Sequence, residues 1–460
     1  MKGNALRMDW NSLLSDGEHF DYILGNPPFI GARNKSPEQA ADIETVFAAW
    51  KNAGNLDYVT CWYKKAADLM RGTSTRCALV STNSVCQGES VALLWKPLFA
   101  TGVVIDFAWK TFVWDSEANE KAHVHVVIVG FAAYGEEQMR LAGSSSSTPR
   151  KSLFENDGSV TSAKHINGYL MDGPDVFVES VKIPLCDVPI IGIGNKPIDG
   201  GHYLFSRDER DAFVAHEPLS EKYFHPFLGA EEFINGKERF CLWLGDCAPG
   251  ELRRMPTCLK RVEAVRDYRL ASTSAPTRKL ADRPTRFHVE NMPKTTYIVI
   301  PEVSSQRRYY VPMGYLTPET MCSNKLRLMP DATLYHFGVL NSSVHMAWMR
   351  AVCGRLKSDY SYSINIVYNN YPWPKPDETQ QKRIEAAAQS ILDARALYAD
   401  SSSLADLYDP LTMPPELRKA HQANDAAVLA AYGFNLKATE SEIVARLFEM
   451  YAKLTAKESK

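Results

Sequence analysis

The stretch FDYILGNPPF, residues 20–29, joins a short apolar strand to a rigid polar loop. Consecutive prolines at 27 and 28 fix φ at both positions, so the loop is rigid before any ligand arrives. The Asn26 side-chain oxygen and the Pro27 backbone carbonyl can each accept one N–H bond from the same amino group. Phe29 offers a flat face on which a base can stack. A plain proline turn is the alternative interpretation, and the strand directly before the loop argues against it.

The region around this loop predicts an α/β fold. Residues 56–71 carry apolar side chains at helical spacing and lie between two apolar strands. The predicted strands are residues 20–24, 76–82, 102–107 and 122–131. Near-continuous apolar strands that alternate with helices are typical of a largely parallel sheet covered on both faces.

The chain changes character twice after this region. Residues 143–152, GSSSSTPRKS, predict a surface loop or linker. The part that follows is rich in loops, aromatic residues and arginine, and the last part is helical, with Gly433 as a helix stop. Strand-like pieces occur at residues 239–244, 296–303 and 308–312. We therefore predict three domains, at residues 1–180, 181–375 and 376–460.

Charge and cysteine usage narrow the class of protein. The net charge of −2 excludes an overall positive charge of the kind that favours nucleic-acid binding, so any basic surface must be local. Residues 251–294 nevertheless hold eleven basic side chains and five carboxylates, a net charge of +6, which fits either phosphate binding or a solvated face. Nine scattered cysteines argue against structural zinc and predict no metal site. With no hydrophobic signal core, we expect a cytoplasmic location.

Further motifs carry a family resemblance. Asn-Pro-Pro-Phe is the signature of enzymes that methylate a planar, conjugated amino nitrogen, and Asp9-Trp10 lies 17 residues before Asn26. This order resembles the γ group of amino-methyltransferases and, more closely, the MmeI-like (Type IIL) restriction–modification proteins. The segments that look like that family are GNPPFIGARN, FVWDSEANEKAHVHVVIVGF, NKPIDGGHYLFS, SSQRRYYVPMGYL and AHQANDAAVLAAYGF.

The resemblance implies a fold and a function. The fold would be a partial Rossmann-like class I methyltransferase sheet, then a mixed α+β target-recognition domain and a helical C-terminal region. The function would be site-specific adenine-N6 methylation of double-stranded DNA, with S-adenosylmethionine as methyl donor and a flipped adenine as target. The catalytic residues would be Asn26, Pro27, Pro28 and Phe29.

The resemblance also implies roles outside the catalytic loop. Asp9 would accept a hydrogen bond from the adenine amine of the cofactor, with Trp10 beside that ring; a helix N-cap or turn residue is the alternative for Asp9. Phe112 and Trp114, in the loop before strand 122–131, would cover the second face of the flipped base, or could be ordinary core.

The same resemblance places DNA recognition at SSQRRY. If that segment is a strand, Gln306 and Arg308 share a face and contact bases, whereas Arg307 contacts phosphate.

Parts of the family pattern are expected before Asp9: a nuclease site, a glycine-rich cofactor loop and an acidic ribose-binding residue. We therefore expect a C-terminal portion of a longer protein, with little methyltransferase activity and no DNA cleavage alone, and an upstream polypeptide as partner. Two alternatives stay open. One is methylation of another nitrogen, such as protein glutamine or cytosine N4. The other is a non-catalytic DNA-specificity subunit that acts with a partner chain.

Overall fold

The computed structural model describes residues 3–15, 17–114, 124–134 and 151–458. Residues 122–123 of the fourth predicted strand and residues 143–150 of the predicted linker lie outside this described part. The chain divides into two compact units. Unit 1 comprises Met1–Val181, Arg350–Ser358 and Phe448–Lys460, and unit 2 comprises Lys182–Met349 and Asp359–Leu447.

Unit 1 is built on a six-stranded sheet with the strand order β1-β2-β4-β3-β5-β6. Its strands are β1 (Tyr22–Gly25), β2 (Arg76–Thr82), β3 (Val103–Trp114), β4 (Val124–Ala133), β5 (Lys151–Phe154) and β6 (Val160–Ala163). Its first helices are α1 (Pro37–Val46), α2 (Thr60–Leu69) and α3 (Glu89–Ala100). The predicted α/β class is confirmed.

The expectation of a largely parallel sheet is wrong. β1 is parallel to β2 and β3 to β5, but β4 is antiparallel to both of its neighbours and β6 is antiparallel to β5. β3 and β4 follow each other in the chain and pair directly. Such a pair needs no crossover helix, which is why the alternation of strands and helices stops here.

Aromatic side chains join α2 and α3 to the sheet. Tyr63 of α2 is fully buried and stacks on Phe131 of β4, with ring centroids 5.3 Å apart. Trp95 of α3 meets the Tyr63 ring edge-on at 5.6 Å. Burial of such large rings stabilises the sheet–helix interface.

Among the residues that the structure describes, the expected cover on both faces of the sheet does not extend to β1. Tyr22 is 68% exposed and Leu24 is 75% exposed. Within the described residues β1 pairs only with β2 and forms the edge of the sheet.

Beyond residue 181 the chain forms short strands and helices. The strands are β7 (Gly192–Ile193), β8 (Leu204–Phe205), β9 (Phe224–Leu228), β10 (Phe240–Leu242), β11 (Tyr297–Pro301), β12 (Val303–Ser304), β13 (Gly314–Leu316), β14 (Met321–Cys322), β15 (Leu326–Met329), β16 (Gly354–Leu356) and β17 (Asp359–Ser361). The helices are α4 (Arg207–His216), α5 (Ala230–Asn235), α6 (Pro249–Leu252), α7 (Pro256–Leu270), α8 (Ala275–Lys279), α9 (Leu334–Leu340), α10 (Ser343–Val352), α11 (Glu378–Ala396), α12 (Leu404–Leu407), α13 (Pro415–Tyr432) and α14 (Glu440–Glu458).

Unit 2 contains two four-stranded sheets, ordered β14-β9-β10-β8 and β13-β11-β15-β7. Strands predicted at residues 239–244 and 296–303 are confirmed as β10 and as β11 with β12. The strand predicted at residues 308–312 is wrong, because these residues form bends and irregular backbone.

The predicted helical character of the last part of the chain is confirmed by α11, α13 and α14. Gly433 ends α13 with a left-handed φ of +73°, as predicted. The Asn424 side chain of α13 donates to the Gly338 carbonyl of α9 at 2.8 Å. Among the described residues, none of the helices combines the length and apolarity that crossing a bilayer requires.

Candidate active site

The predicted catalytic loop leaves the sheet where β1, β2 and β3 end. These three strands run in the same direction, because β1 is parallel to β2 and β4 is antiparallel to both β2 and β3. Asn26 directly follows β1 and is exposed, Pro27 is buried, and Phe29 is half-buried. The loop therefore presents the Asn26 amide to solvent while Pro27 packs inside the protein.

The strand registers align Thr82, at the end of β2, with Phe112, which was predicted to stack on the base. Thr82 of β2 pairs with Val126 of β4, and Val126 pairs with Phe112 of β3. Two strand spacings, about 10 Å, therefore separate the backbones of Thr82 and Phe112. Both residues lie at the edge from which the catalytic loop leaves.

The predicted loop location of Phe112 and Trp114 is wrong, because β3 continues to Trp114. The pairing of β3 with β4 shifts register between Trp109 and Phe112, as a β-bulge does. The polar Lys110 and Thr111 interrupt the apolar pattern there, although the strand goes on. Neither predicted ring is buried: Phe112 is half-buried and Trp114 is 38% exposed, with ring centroids 6.3 Å apart.

A buried carboxylate connects the catalytic loop to the end of β2. Asp57 is 5% exposed. Its Oδ1 accepts hydrogen bonds from the backbone N–H groups of Ile30, at 3.2 Å, and Val59, at 3.3 Å. Its Oδ2 accepts from the hydroxyls of Thr82, at 2.9 Å, and Ser84, at 3.1 Å. Because Ile30 directly follows Phe29, one side chain bonds both the loop and the neighbouring strand end.

Lys35, in the later part of the same loop, bonds the loop to the backbone just before Asp57. Its Nζ donates to the carbonyls of Gly54, at 2.7 Å, and Leu56, at 2.8 Å. Burial lowers the pKa of Lys35, and the negative charge of Asp57 opposes this shift. The loop is therefore held through both backbone and side-chain groups.

The predicted cofactor residues lie in the described part of the amino-terminal segment. Asp9 caps a 3-10 helix that begins at Trp10, and its Oδ1 accepts from the backbone N–H of Asn11 at 3.0 Å and from its side-chain amide at 3.1 Å. The Trp10 indole donates to the Ala5 carbonyl at 2.8 Å, and Lys65 Nζ lies 5.4 Å from the Trp10 ring. The N-cap alternative for Asp9 is therefore present, and its cofactor role stays a prediction.

A second buried carboxylate holds this amino-terminal segment. Asp42, 6% exposed, accepts from Asn4 Nδ2 at 3.1 Å, from Arg7 Nε at 2.8 Å and from the Tyr58 hydroxyl at 2.7 Å. Burial raises the pKa of Asp42, but the hydrogen bonds from Arg7, Tyr58 and Asn4 outweigh it and lower the pKa below its usual value. The segment before Asp9 is therefore tied to α1.

The predicted recognition segment is a turn in unit 2, so the condition under which Gln306 and Arg308 would share a strand face is not met. The Arg308 N–H donates to the Ser305 carbonyl at 3.2 Å, and the Gln306 N–H donates to Asp359 Oδ1 at 3.3 Å. Gln306 and Arg307 are exposed, whereas Arg308 is half-buried. The turn therefore presents Gln306 and Arg307, rather than Gln306 and Arg308, on its outer side.

The two arginines of this turn face carboxylates. Arg307 Nη2 lies 3.7 Å from Asp409 Oδ2. Burial lowers the pKa of Arg308, and the charges of Asp359 and Asp409 oppose the shift. Arg308 is therefore partly withdrawn from solvent beside two acidic side chains.

The basic segment 251–294 is not a uniform positive surface. Arg269 is fully buried and donates to backbone carbonyls, and Arg286 pairs with Glu290 at 3.0 Å and with Asp246 at 3.4 Å. Arg278 donates to the carbonyls of Ser272 and Thr273. The other exposed basic residues are Arg253, Arg254, Lys260, Arg266, Lys279, Arg283 and Lys294. The set that can meet phosphates is therefore smaller than the sequence indicated.

Sequence reasoning missed the polar residues at the end of β2 and before α2. Asp57, Thr82 and Ser84 form the hydrogen-bonded group described above. Asn83 between them is 8% exposed, and within the described residues its Nδ2 has no hydrogen-bond partner. The polar tetrapeptide Ser81–Ser84 at the end of an apolar strand is a usable signal, because ligands bind at the carboxyl ends of parallel strands. The described residues contain no cluster of three or more His, Cys, Asp or Glu side chains that could hold a metal ion.

Three family models match successive parts of the chain. They describe the MmeI DNA-methyltransferase domain at residues 1–142, the MmeI target recognition domain at residues 172–375 and the MmeI C-terminal domain at residues 376–458. The chain belongs to the MmeI family.

Two relatives of this MmeI-family chain extend the comparison. DNA methyltransferase A of Bacillus subtilis (strain 168) is 37% identical over 453 residues, which are 98% of this chain and 50% of that relative. The solved structure of the Type IIL restriction-modification enzyme MmeI in complex with DNA is 43% identical, with a TM-score of 0.91 over 99% of this chain and 60% of that one. The chain thus spans about half the length of its curated relative.

Proposed function

We propose that this MmeI-family chain transfers methyl groups to the N6 atom of adenine at a specific sequence in double-stranded DNA. The observation that carries the proposal is the exposed Asn26, followed by Pro27, at the sheet edge that also holds Phe112. The relatives support DNA as the substrate, since one is named a DNA methyltransferase and the other was solved in complex with DNA.

The loop can activate a weak nucleophile. The lone pair of the adenine amino nitrogen is delocalised into the ring, and two acceptors, the Asn26 side-chain oxygen and the Pro27 carbonyl, would draw this nitrogen toward tetrahedral geometry. S-adenosylmethionine would supply an electrophilic methyl group on a sulfonium sulfur. A nitrogen–carbon bond would form while the donor's carbon–sulfur bond breaks and leaves its electron pair on sulfur, and the methylated amine would then lose its proton to water.

The target base must leave the double helix to reach this loop. Half-buried Phe29, in the loop itself, can cover one face of the base. Phe112 and Trp114 at the end of β3 can cover the other, since both rings keep exposed surface. Stacking on two sides would hold the amino group near Asn26.

Asp9 and Trp10 fit the adenosine end of the cofactor. Asp9 is exposed, and within the described residues its two side-chain hydrogen bonds both fall on Oδ1, which leaves Oδ2 to accept from an adenine amine. The half-buried Trp10 ring lies next to it in the chain and can pack beside the purine.

The turn at Ser305–Arg308 supports sequence reading by unit 2. Gln306 and Arg307 are exposed, and glutamine suits adenine edges as arginine suits guanine edges. We therefore assign base contacts to Gln306 and Arg307, and a supporting role to the half-buried Arg308. The helical C-terminal part, residues 376–460, stays a proposed third domain beside proposed domains at 1–180 and 181–375.

The test is methylation of host DNA. The chain is expressed in a bacterial strain without adenine methylation, alone and together with the amino-terminal half of the Bacillus subtilis relative. Long-read sequencing then identifies modified bases and their sequence context. When the amino-terminal half is co-expressed, we expect N6-methyladenine in one short motif with the unchanged chain and none with Asn26→Ala; the chain alone should give little or no methylation.

Asn34→Ala is the matched control, because Asn34 is an exposed asparagine in the same loop. It should keep full methylation. N4-methylcytosine in place of N6-methyladenine would assign another amino nitrogen as target. Sequence-specific DNA binding without methylation in either arrangement would instead identify a non-catalytic specificity subunit.

A further inference from the structure

The carboxylate of Asp57 uses its two oxygens for two different parts of unit 1. Oδ1 bonds the backbone of Ile30 and Val59, and Oδ2 bonds the hydroxyls of Thr82 and Ser84. The Tyr58 N–H also donates to the Ile30 carbonyl at 3.0 Å, so both backbone groups of Ile30 are bonded to this short segment.

These contacts set where the catalytic loop lies relative to the sheet. Two prolines make the loop internally rigid, but rigidity alone does not place its acceptors relative to the neighbouring strand. The backbone N–H of Ile30 is the first amide after Phe29, and Asp57 connects it to the end of β2. A shift of the loop by about 1 Å can cost about a hundredfold in rate when reacting atoms must be aligned.

We propose that Asp57 is a positioning residue that holds the Asn26 and Pro27 acceptors at a defined distance from the end of β2. This inference rests on the proposed methyl transfer by that loop. Asp57 itself does not touch the substrate, because its side chain is buried and its oxygens already accept four hydrogen bonds.

A purely structural role makes a different prediction. Val59 is the N-cap residue of α2, so Asp57 could serve only to start that helix. Its loss would then lower the stability of unit 1 without a specific effect on the loop. Asp42 provides the matched control, since it is about equally buried in unit 1 and accepts three side-chain hydrogen bonds, from Asn4, Arg7 and Tyr58, but none from residues 26–36 of the loop.

Hydrogen exchange followed by mass spectrometry separates these roles without requiring activity. In Asp57→Ala, peptides covering residues 29–36 should exchange at least about tenfold faster, and peptides covering residues 4–12 should not change. Asp42→Ala should give the reverse pattern. Asp57→Asn should stay near the unchanged protein, because its oxygen can accept from Ile30 while its amide donates to the hydroxyls.

Thr82→Val keeps the side-chain shape and removes one donor to Oδ2, so it tests the same link if Asp57→Ala does not fold. We expect about two- to fivefold faster exchange in residues 29–36. In steady-state kinetics of methyl transfer to DNA, measured together with the amino-terminal half, Asp57→Ala should lower kcat about a hundredfold with little change in the KM for DNA, and Asp57→Asn should restore it.

Two outcomes would overturn the inference. One is unchanged exchange of residues 29–36 in both Asp57→Ala and Thr82→Val. The other is full kcat in a folded Asp57→Ala variant. Failure of the proposed function would give a different result. Methylation would be absent, or would persist in Asn26→Ala, whatever the hydrogen-exchange rates show.

Discussion

Arg269 offers the sharpest test of how unit 2 is held together. Its guanidinium is 0% exposed, and all five of its N–H groups point to backbone carbonyls. The acceptors are the carbonyls of Pro197, at 2.9 Å, Ile198, at 2.8 Å, Leu280, at 2.9 Å, Arg283, at 2.9 Å, and Arg286, at 2.8 Å. Burial lowers the pKa of Arg269, as expected for a cation removed from water.

Replacing Arg269 with methionine keeps much of the volume and removes every donor. Loss of five charge-assisted bonds at about 1.5 kcal/mol each would cost about 7.5 kcal/mol. Removing a buried charge returns a desolvation penalty of several kcal/mol, so about half of that loss is recovered. We therefore expect Arg269→Met to lower the free energy of unfolding of unit 2 by about 4 kcal/mol.

Urea unfolding followed by tryptophan fluorescence and circular dichroism measures this change. Arg269→Lys keeps the charge but has only three donors for five carbonyls, so it should not restore stability. Arg278→Met is the matched control from the same basic segment. Arg278 is exposed and donates to two carbonyls, so its loss should cost less than about 1 kcal/mol.

A loss below about 1 kcal/mol in Arg269→Met would refute the reasoning, since the five bonds would then contribute no more than a surface contact. Full stability in Arg269→Lys would refute it as well, because charge rather than the five-donor geometry would be sufficient.

Two further predictions concern the cores of the two units. Burial lowers the pKa of His345 to about 3, so below about pH 6.5 only the unfolded chain binds a proton at this residue. The free energy of unfolding should therefore fall by about 1.4 kcal/mol for each pH unit below 6.5. In His345→Phe, the urea midpoint should decline less between pH 7 and pH 5 than in the unchanged protein. In β4, a Cβ on Gly130 would lie 2.0 Å from the Phe107 ring, so Gly130→Ala should cost about 2 kcal/mol. Adding Phe107→Leu should recover more than half of that loss in the same unfolding assay; no recovery would place the strain elsewhere.

Regular elements could be predicted where local pattern decides the structure. β2 spans the predicted residues 76–82, and Gly433 ends α13 because glycine readily adopts positive φ. By sequence the segment Ser305–Arg308 could have been a strand, but it forms a turn. Its backbone is held by Asp359, a residue 53 positions away from Gln306, and local alternation carries no information about such a partner.

In the candidate site, too, the sequence predicted the local loop but not the contacts with residues distant in the chain. The loop residues Asn26 to Phe29 were predicted from their chemistry, and their location after β1 follows from the strand before them. The participation of Asp57 was not predicted, because an aspartate before a helix is usually only a cap. Its role became visible when packing brought Ile30, 27 residues earlier in the chain, onto its carboxylate.

By itself, the order of side chains determined most of the strands and helices and the rigid proline loop, since those choices depend on neighbours a few positions apart. Only the tertiary structure decided that β4 runs antiparallel to its neighbours and that Arg269 is buried rather than available to bind phosphates. It also decided that Asp57 accepts hydrogen bonds from both Ile30 and Thr82. Each of these depends on strand register and on burial, which place residues far apart in sequence within hydrogen-bond distance.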